Sequence, residues 1–216
     1  EGYRVEDRHL STREETDAFK QRFDVSTTPQ AFIADERIGG YTDLAEHFGR
    51  ARDPDATSYR PVIAVFAVGA ALAIALSQFV FETPLTIRTA EWFVAFSMAM
   101  LAMLKLQDVE QFSTMFVGYD LLGQRWVRYA YAYPFLEATA AVLMAGRLLP
   151  WLSIPIALFI GTVGAVSVFY AVYVQKREIK CACVGGSANV PLGFISLTEN
   201  LAMMGMGIWM LLRPTL

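Results

Sequence analysis

Cys181 and Cys183 are the only cysteines of the chain, and they lie one residue apart between two strongly apolar segments. Lys176, Arg177 and Lys180 precede them, and a positive charge near a thiol favours the reactive thiolate form. A disulfide between such close cysteines closes a very small ring, and strained disulfides are easily reduced. The pattern predicts redox chemistry or soft-metal binding; the alternative is that both side chains are small apolar filler in a loop.

Soft-metal binding is the second chemistry open to a Cys-x-Cys pair, because two thiolates are good ligands for Cu(I) or Hg(II). The chain offers few further ligands for such an ion. It has no other cysteine, and both of its histidines, His9 and His47, lie in the polar N-terminal part. The sequence therefore favours redox chemistry over a metal site.

Charged residues within the apolar runs form a second candidate site. Lys105 closes one run, Glu137 lies inside the next, and Glu199 lies inside the last. Charges at membrane depth are costly and are usually paired or functional. We predict that Lys105 pairs with Glu137 and that the pair borders a ligand cavity. Alternatively, Lys105 extends to the headgroups, or Asp108 competes for it.

The 216 residues divide into a polar and an apolar part. The chain is 55% hydrophobic with a net charge of −3, and more than half of its charged residues lie in the first 60 positions. A membrane-spanning helix needs about 20 apolar residues. We predict a soluble domain over 1–50, a linker over 51–60 and a membrane domain over 61–216, with five spans at 61–81, 92–106, 129–149, 154–174 and 194–212. The charge gives no indication of nucleic-acid binding.

The basic residues predict the orientation of these spans. With five spans, nine basic residues fall on the side of the N-terminal part and the Cys-x-Cys loop, and only Arg88, Arg147 and Arg213 fall on the other. Basic residues accumulate on the cytoplasmic side. We therefore expect a multi-pass protein of the bacterial inner membrane, with the soluble domain and the cysteine loop in the cytoplasm.

The first 50 residues predict a β-α-β-β-α order. We expect a strand over 2–8, a helix from the Ser11-Thr12 cap to Phe23, strands in 27–33 and at Arg37-Ile38, and a helix from Tyr41 to Phe48 capped by Thr42 or Asp43. The segments around Thr28-Pro29 and Gly40-Tyr41 resemble the C-terminal two-thirds of a glutaredoxin, which has a thioredoxin fold. The resemblance starts after that family's first strand and cysteine loop, so the domain would be partial.

The glutaredoxin resemblance implies a glutathione or thiol-partner site. In that family the proline matching Pro29 is cis, and the residue before it, here Thr28, bonds the backbone of the thiol peptide. The matching helix start holds a glutathione carboxylate, which suits the exposed N–H groups of a helix N-terminus. The residues implied are Thr28, Pro29, Gly40, Tyr41, Thr42 and Asp43.

Residues from Phe93 onwards resemble the MauE/DoxX group of membrane proteins. The matching pieces are the helix ending in Lys105-Leu-Gln-Asp108, the Leu136-Glu137 pair and the loop that begins at Cys181. The resemblance implies a four-helix core to which the span at 61–81 is an addition. MauE is linked to disulfide formation in a periplasmic enzyme, which implies redox work for the cysteine pair.

These observations predict a mainly α membrane bundle, preceded by a partial α/β thioredoxin-fold domain, that acts as a thiol–disulfide oxidoreductase. The glutaredoxin-like domain, linked to glutathione or a thiol protein, would exchange electrons with Cys181 and Cys183. A membrane quinone near Lys105 and Glu137 would serve as the second cofactor. The alternatives are a Cu- or Hg-handling membrane protein and a disulfide-maturation factor for a client protein.

Overall fold

A computed structural model describes residues 4–50, 57–177, 179, 181 and 190–213. The chain divides into two compact units, Glu1–Ala56 and Thr57–Leu216. The boundary falls inside the segment predicted as a linker.

The N-terminal unit is a β-hairpin between two helices: α1 (Arg13–Phe23), β1 (Ala31–Ile33), β2 (Glu36–Gly39) and α2 (Tyr41–His47). Thr12 caps α1 as predicted, since its hydroxyl accepts the N–H of Glu15. The antiparallel strands are joined at Ala34 and Asp35, which both have positive φ. Phe23 packs against Phe32 of β1 with ring centroids 4.9 Å apart, so aromatic contact joins the helix to the hairpin.

Two sequence predictions for this unit are wrong in detail. Residues 4–8 form no strand, and the sheet of the described residues contains only β1 and β2, so that segment has no neighbouring strand to complete its hydrogen bonds. The N-cap of α2 is Gly40 rather than Thr42 or Asp43. The described residues thus contain a two-stranded sheet, which is less than a thioredoxin fold.

The second unit is helical: α3 (Arg60–Phe81), α4 (Ile87–Gln107), α5 (Val109–Val117), α6 (Val127–Gly146), α7 (Pro150–Phe169), which continues as a π-helical turn over Tyr170–Val174, and α8 (Phe194–Leu212). Among the described residues, four helices are long and apolar enough to cross a membrane, namely α3, α4, α7 with its π turn, and α8. The predicted third span corresponds to α6, which is 20 residues long but is not one of the four.

Four of these helices form a closed ring around the core. α4 packs against α6, α6 against α7, α7 against α8, and α8 against α4, while α3 packs on the outside of α4. Small residues allow the closest of these contacts, because Gly161 and Gly164 of α7 lie directly against the Asn200 region of α8. The ring buries the centre of each of its helices and leaves α3 mostly exposed.

The short helix α5 was not predicted from the sequence. Asp108 starts it, because its carboxylate accepts the N–H of Gln111 at 2.9 Å. Its aromatic side chains pack on α6, with the Phe116 and Tyr133 ring centroids 4.7 Å apart. We infer that α5 covers the end of the ring nearest the cysteine loop, since Arg177 donates to the Gly118 carbonyl oxygen at its C-terminus.

The connection between α5 and α6 contains a buried carboxyl group, Asp120, whose Oδ1 accepts the N–H groups of Leu122 and Gly123. Burial raises the pKa of Asp120 above its usual range near 4.

Because the pKa of Asp120 is higher in the folded than in the unfolded protein, its carboxyl group contributes stability below pH 4, and this contribution is lost as the pH rises through the raised pKa. We expect the Tm of the wild type minus that of Asp120→Asn, measured in detergent between pH 4 and 8, to fall as pH rises. A difference that is constant or grows with pH would contradict this.

Candidate functional site

One lysine and two glutamates meet in the interior of the helix ring. Nζ of Lys105 on α4 donates to both carboxylate oxygens of Glu137 on α6, at 2.8 and 2.6 Å, and to Oε1 of Glu199 on α8 at 2.7 Å. The side chains are 1%, 0% and 3% exposed. The cluster therefore joins three of the four ring helices through charge-assisted hydrogen bonds.

The predicted Lys105–Glu137 ion pair is confirmed, and the alternatives for Lys105 are wrong. Lys105 does not extend to the surface, and Asp108 caps α5 instead of competing for the ammonium group. The third member, Glu199, was recognised from the sequence as a carboxylate in the last span but was not assigned to this pair. Two cavities lie beside α4 and α8, with volumes of about 40 and 330 Å³. Glu199 is in the lining of the smaller cavity, whereas Lys105 and Glu137 line neither of the two.

The cysteine loop is anchored at the end of this bundle. The N–H of Cys181 donates to the Val190 carbonyl oxygen, and that of Leu192 donates to the Ile179 carbonyl oxygen, both at 2.7 Å. These two backbone hydrogen bonds hold together the segment that enters the cysteine loop and the segment that leaves it. Cys181 is only 1% exposed, and its Sγ lies 3.0 Å from Oγ of Ser196 on α8. Cys183 and Lys180 lie outside the described residues.

The polar face of α8 connects Cys181 with the ionic cluster. Ser196, Glu199 and Asn200 are three and four residues apart, so they share one face of the helix. Asn200 donates to the Ser196 carbonyl oxygen, and the Tyr133 hydroxyl donates to Asn200 Oδ1. Ser196, which contacts the thiol, is thus three residues, or about 4.5 Å along the helix axis, from Glu199.

A second ionic cluster, centred on Glu91, lies at the other end of the ring and was missed in the sequence. Its carboxylate accepts from Arg88, from Arg147 at 2.6 Å and from the indole N–H of Trp209 at 2.9 Å. Glu91 is 3% exposed. The predicted span was centred on 92–106 with an extension of a turn or more on either side, and Glu91 was not considered among the charged residues of the spans. This cluster joins α4, the end of α6 and α8.

The residues implied by the glutaredoxin resemblance lie around the start of α2. The Thr28–Pro29 peptide bond is cis, as the resemblance implied, and Gly40 lies beside the Pro29 carbonyl group. Asp43 Oδ2 accepts the N–H of Gly40 at 2.8 Å, so a carboxylate of the chain already caps this helix. Tyr41 is 83% exposed. Thr42 lies in the first turn of the same helix. A glutathione site here stays a prediction.

Comparison with known families decides the classification of the membrane unit. Residues 83–213 match the family model described as methylamine utilisation protein MauE. The chain belongs to the MauE family. The MauE match spans the four ring helices and the cysteine loop and begins after α3, in agreement with the sequence prediction that α3 is an addition to this core. No curated protein and no solved structure matched the chain.

The MauE-type core contains no cluster of three or more His, Cys, Asp or Glu side chains placed to hold a metal ion, as far as the described residues extend. The buried carboxylates Glu137 and Glu199 are instead both bonded to Lys105. The arrangement can hold and exchange a proton, because two carboxyl groups and an ammonium group lie in hydrogen-bond contact inside an apolar bundle.

Proposed function

We propose that this MauE-family protein is a membrane thiol–disulfide oxidoreductase in which Cys181 and Cys183 exchange electrons as a dithiol–disulfide pair. The observation that carries the proposal is the contact between Cys181 Sγ and Ser196 Oγ, on the α8 face that also bears Glu199. A hydroxyl group beside the sulfur stabilises the thiolate that attacks a disulfide. Nearby carboxylates can take up the proton that the thiol releases.

The proposed reaction balances as a two-electron exchange. The dithiol of Cys181 and Cys183 loses two electrons and two protons when its disulfide forms. A membrane quinone takes up these two electrons and two protons to become a hydroquinone, and two thiols of a glutathione or thiol-protein partner then lose the same number to restore the dithiol; the reverse direction runs through the same two couples. The proposal includes both couples, with a glutathione-linked partner on the aqueous side and a quinone in the bilayer.

The proposal places the protein in the bacterial inner membrane with α6 as the fifth span. α6 has the length to cross a bilayer, and its buried Glu137 is matched by Lys105. The basic residues Lys176 and Arg177 next to the cysteine loop and Arg60 at the start of α3 favour the cytoplasmic side for both ends.

Mass spectrometry of the full chain tests the thiol chemistry. After alkylation with and without reductant, the peptide containing Cys181 and Cys183 should differ by the two hydrogens lost when the disulfide forms. If both thiols always alkylate, even after mild oxidants, the redox proposal fails and soft-metal binding becomes the better function.

The variant Ser196→Ala tests the contact between the Ser196 hydroxyl group and the Cys181 thiol directly. It leaves both cysteines in place and removes the hydroxyl group beside Cys181, so we expect thiol–disulfide turnover to slow about fivefold, in line with the loss of one hydrogen bond of about 1 kcal/mol. Thr198→Ala is the matched control, because Thr198 is exposed and its hydroxyl bonds only the Phe194 carbonyl oxygen of its own helix. Equal rates in the two variants would contradict a role for Ser196.

A further inference from the structure

The larger of the two cavities, of about 330 Å³, lies between the start of α4 and the end of α8. Its lining runs from Ile87 to Val94 on α4 and from Ala202 to Trp209 on α8, so it extends about 10 Å along each helix. Ile87 is 57% exposed and Gly205 is also exposed. The cavity is therefore a cleft that opens on the outer surface of the helix ring.

The lining of this cleft is suited to a hydrocarbon chain. Among the described residues that form it, Glu91 is the one that carries a charge. Its carboxylate is already bonded to Arg147 at 2.6 Å and to the indole N–H of Trp209 at 2.9 Å. The remaining lining residues are apolar. An occupant gains by burying apolar surface there, and it is offered no unpaired polar group.

A group of arginines lies at the end of the cleft where α4 begins and α8 ends. Arg88 and Arg147 both donate to Glu91. The guanidinium group of Arg213 lies on the ring of Trp209, with Cζ 4.6 Å from the ring centroid, and Trp209 in turn donates to Glu91. These contacts bring three guanidinium groups and one carboxylate together, which leaves two positive charges in excess.

The arginines lie at the depth of the lipid headgroups. Arg88 is the second residue of α4, and Arg147 and Arg213 cap the C-terminal ends of α6 and α8. Tryptophan and basic residues accumulate at this level of membrane proteins. The side chains of Arg88 and Arg147 are 16% and 29% exposed, and Arg213 is exposed. Guanidinium groups bind phosphate through paired hydrogen bonds, so this end of the cleft is suited to a phosphate group.

We propose that the cleft binds an anionic phospholipid, with its phosphate at Arg147 and Arg213 and one acyl chain between α4 and α8. The apolar lining accommodates the chain, and the excess positive charge accommodates a headgroup with a net negative charge. A zwitterionic headgroup fits less well, because it brings its own ammonium group to the arginines. The site rests on the cleft and the arginines, and it is independent of the thiol–disulfide function.

Photolabelling tests the proposal. The full chain in detergent micelles is irradiated with a phosphatidylglycerol that carries a diazirine in one acyl chain, and the labelled peptides are identified by mass spectrometry. We expect unlabelled phosphatidylglycerol to remove the label from α4 and α8 at about a tenfold lower concentration than phosphatidylcholine, the effect of one hydrogen bond to a charged group. Inorganic phosphate should not compete, because it leaves the apolar part of the cleft unfilled.

Arg213→Gln tests the headgroup contact. Arg213 has no ion pair in the described part of the chain, so its removal leaves no carboxylate unpaired. We expect the tenfold preference for phosphatidylglycerol to be lost, with competition by phosphatidylcholine unchanged. Arg125→Gln is the matched control. It removes the same charge from an exposed position between α5 and α6, at the other end of the ring, and should keep the preference.

Gly205→Leu tests the position of the acyl chain. A Cβ added at Gly205 meets no atom within 4 Å, so the leucine side chain fills the cleft without a clash at its base. We expect competed labelling of α4 and α8 to be lost. Leu201→Phe is the control, because Leu201 is 44% exposed and lines neither cavity, and it should be labelled as the wild type is.

Four results would overturn the proposal. Equal competition by phosphatidylglycerol and phosphatidylcholine would mean that the arginines do not select the headgroup. Competition by inorganic phosphate alone would indicate an anion site without a lipid chain. Equal labelling of Gly205→Leu and Leu201→Phe would place the chain outside the cleft. An equal loss of preference in Arg125→Gln and Arg213→Gln would reduce the effect to the net charge of the protein.

Discussion

Replacing Lys105 with Met is expected to lower the free energy of unfolding by about 3–5 kcal/mol, because removing one partner of a buried ion pair leaves an uncompensated charge. Here the loss affects two carboxyl groups, Glu137 and Glu199, which are almost fully buried and both bonded to Lys105 Nζ. For a chain of this length the Tm should fall by about 10 °C. Thermal unfolding of the purified protein in detergent measures the change.

Glu137→Gln is the matched comparison for Lys105→Met. It leaves the ammonium group paired with Glu199, so its effect on Tm should be clearly smaller. The triple variant Lys105→Met/Glu137→Gln/Glu199→Gln removes every charge of the cluster and should recover most of the lost stability. If Lys105→Met is no more destabilising than Glu137→Gln, the ionic cluster does not stabilise the bundle in the way described.

Gly164→Ala is expected to destabilise the contact between α7 and α8 by about 1–3 kcal/mol, the usual cost of overpacking. A Cβ at Gly164 would lie 2.1 Å from Oδ1 and 2.7 Å from Cγ of Asn200. The Asn200 side chain cannot move aside without losing its hydrogen bonds to Ser196 and Tyr133. Chemical denaturation in mixed micelles should report the loss.

Gly205→Ala is the control for Gly164→Ala, since both place a methyl group on a membrane helix. An added Cβ at Gly205 meets no atom within 4 Å, and alanine favours helix over glycine by up to about 1 kcal/mol. The stability of Gly205→Ala should therefore equal or exceed that of the wild type. Similar losses in both variants would mean that helix packing at Gly164 is not the cause.

Much of the membrane unit could be predicted because most of its helices are recognisable from a local run of about 20 apolar residues. The helix α8 occupies the predicted residues, and α3 differs by one residue at its start. The Lys105–Glu137 pair was predictable for the same reason, because an isolated charge at membrane depth needs a partner on a neighbouring helix. Local sequence and the cost of burying charge were enough for these features.

The features that were missed depend on contacts between distant residues. Glu91 meets Arg147 across 56 positions, and Glu199 meets Lys105 across 94. Such pairs follow from how α4, α6 and α8 cross, which hydrophobic periodicity does not determine. The helix α5 was missed because it is nine residues long and is held by aromatic packing on α6. The predicted strand at 2–8 had local propensity but no partner strand.

The pairing of Lys105 with Glu137 has a consequence for biogenesis. The ribosome completes α4 before α6, so the lysine is already available when the helix bearing Glu137 reaches the translocon. α6 is less apolar than its neighbours and gains a counter-charge by entering the bilayer beside α4. Glu199 follows on α8, the last helix of the described chain, and brings a second carboxyl group to a pair that is already neutral. We therefore expect α4 and α6 to insert as a unit and α8 to join them afterwards.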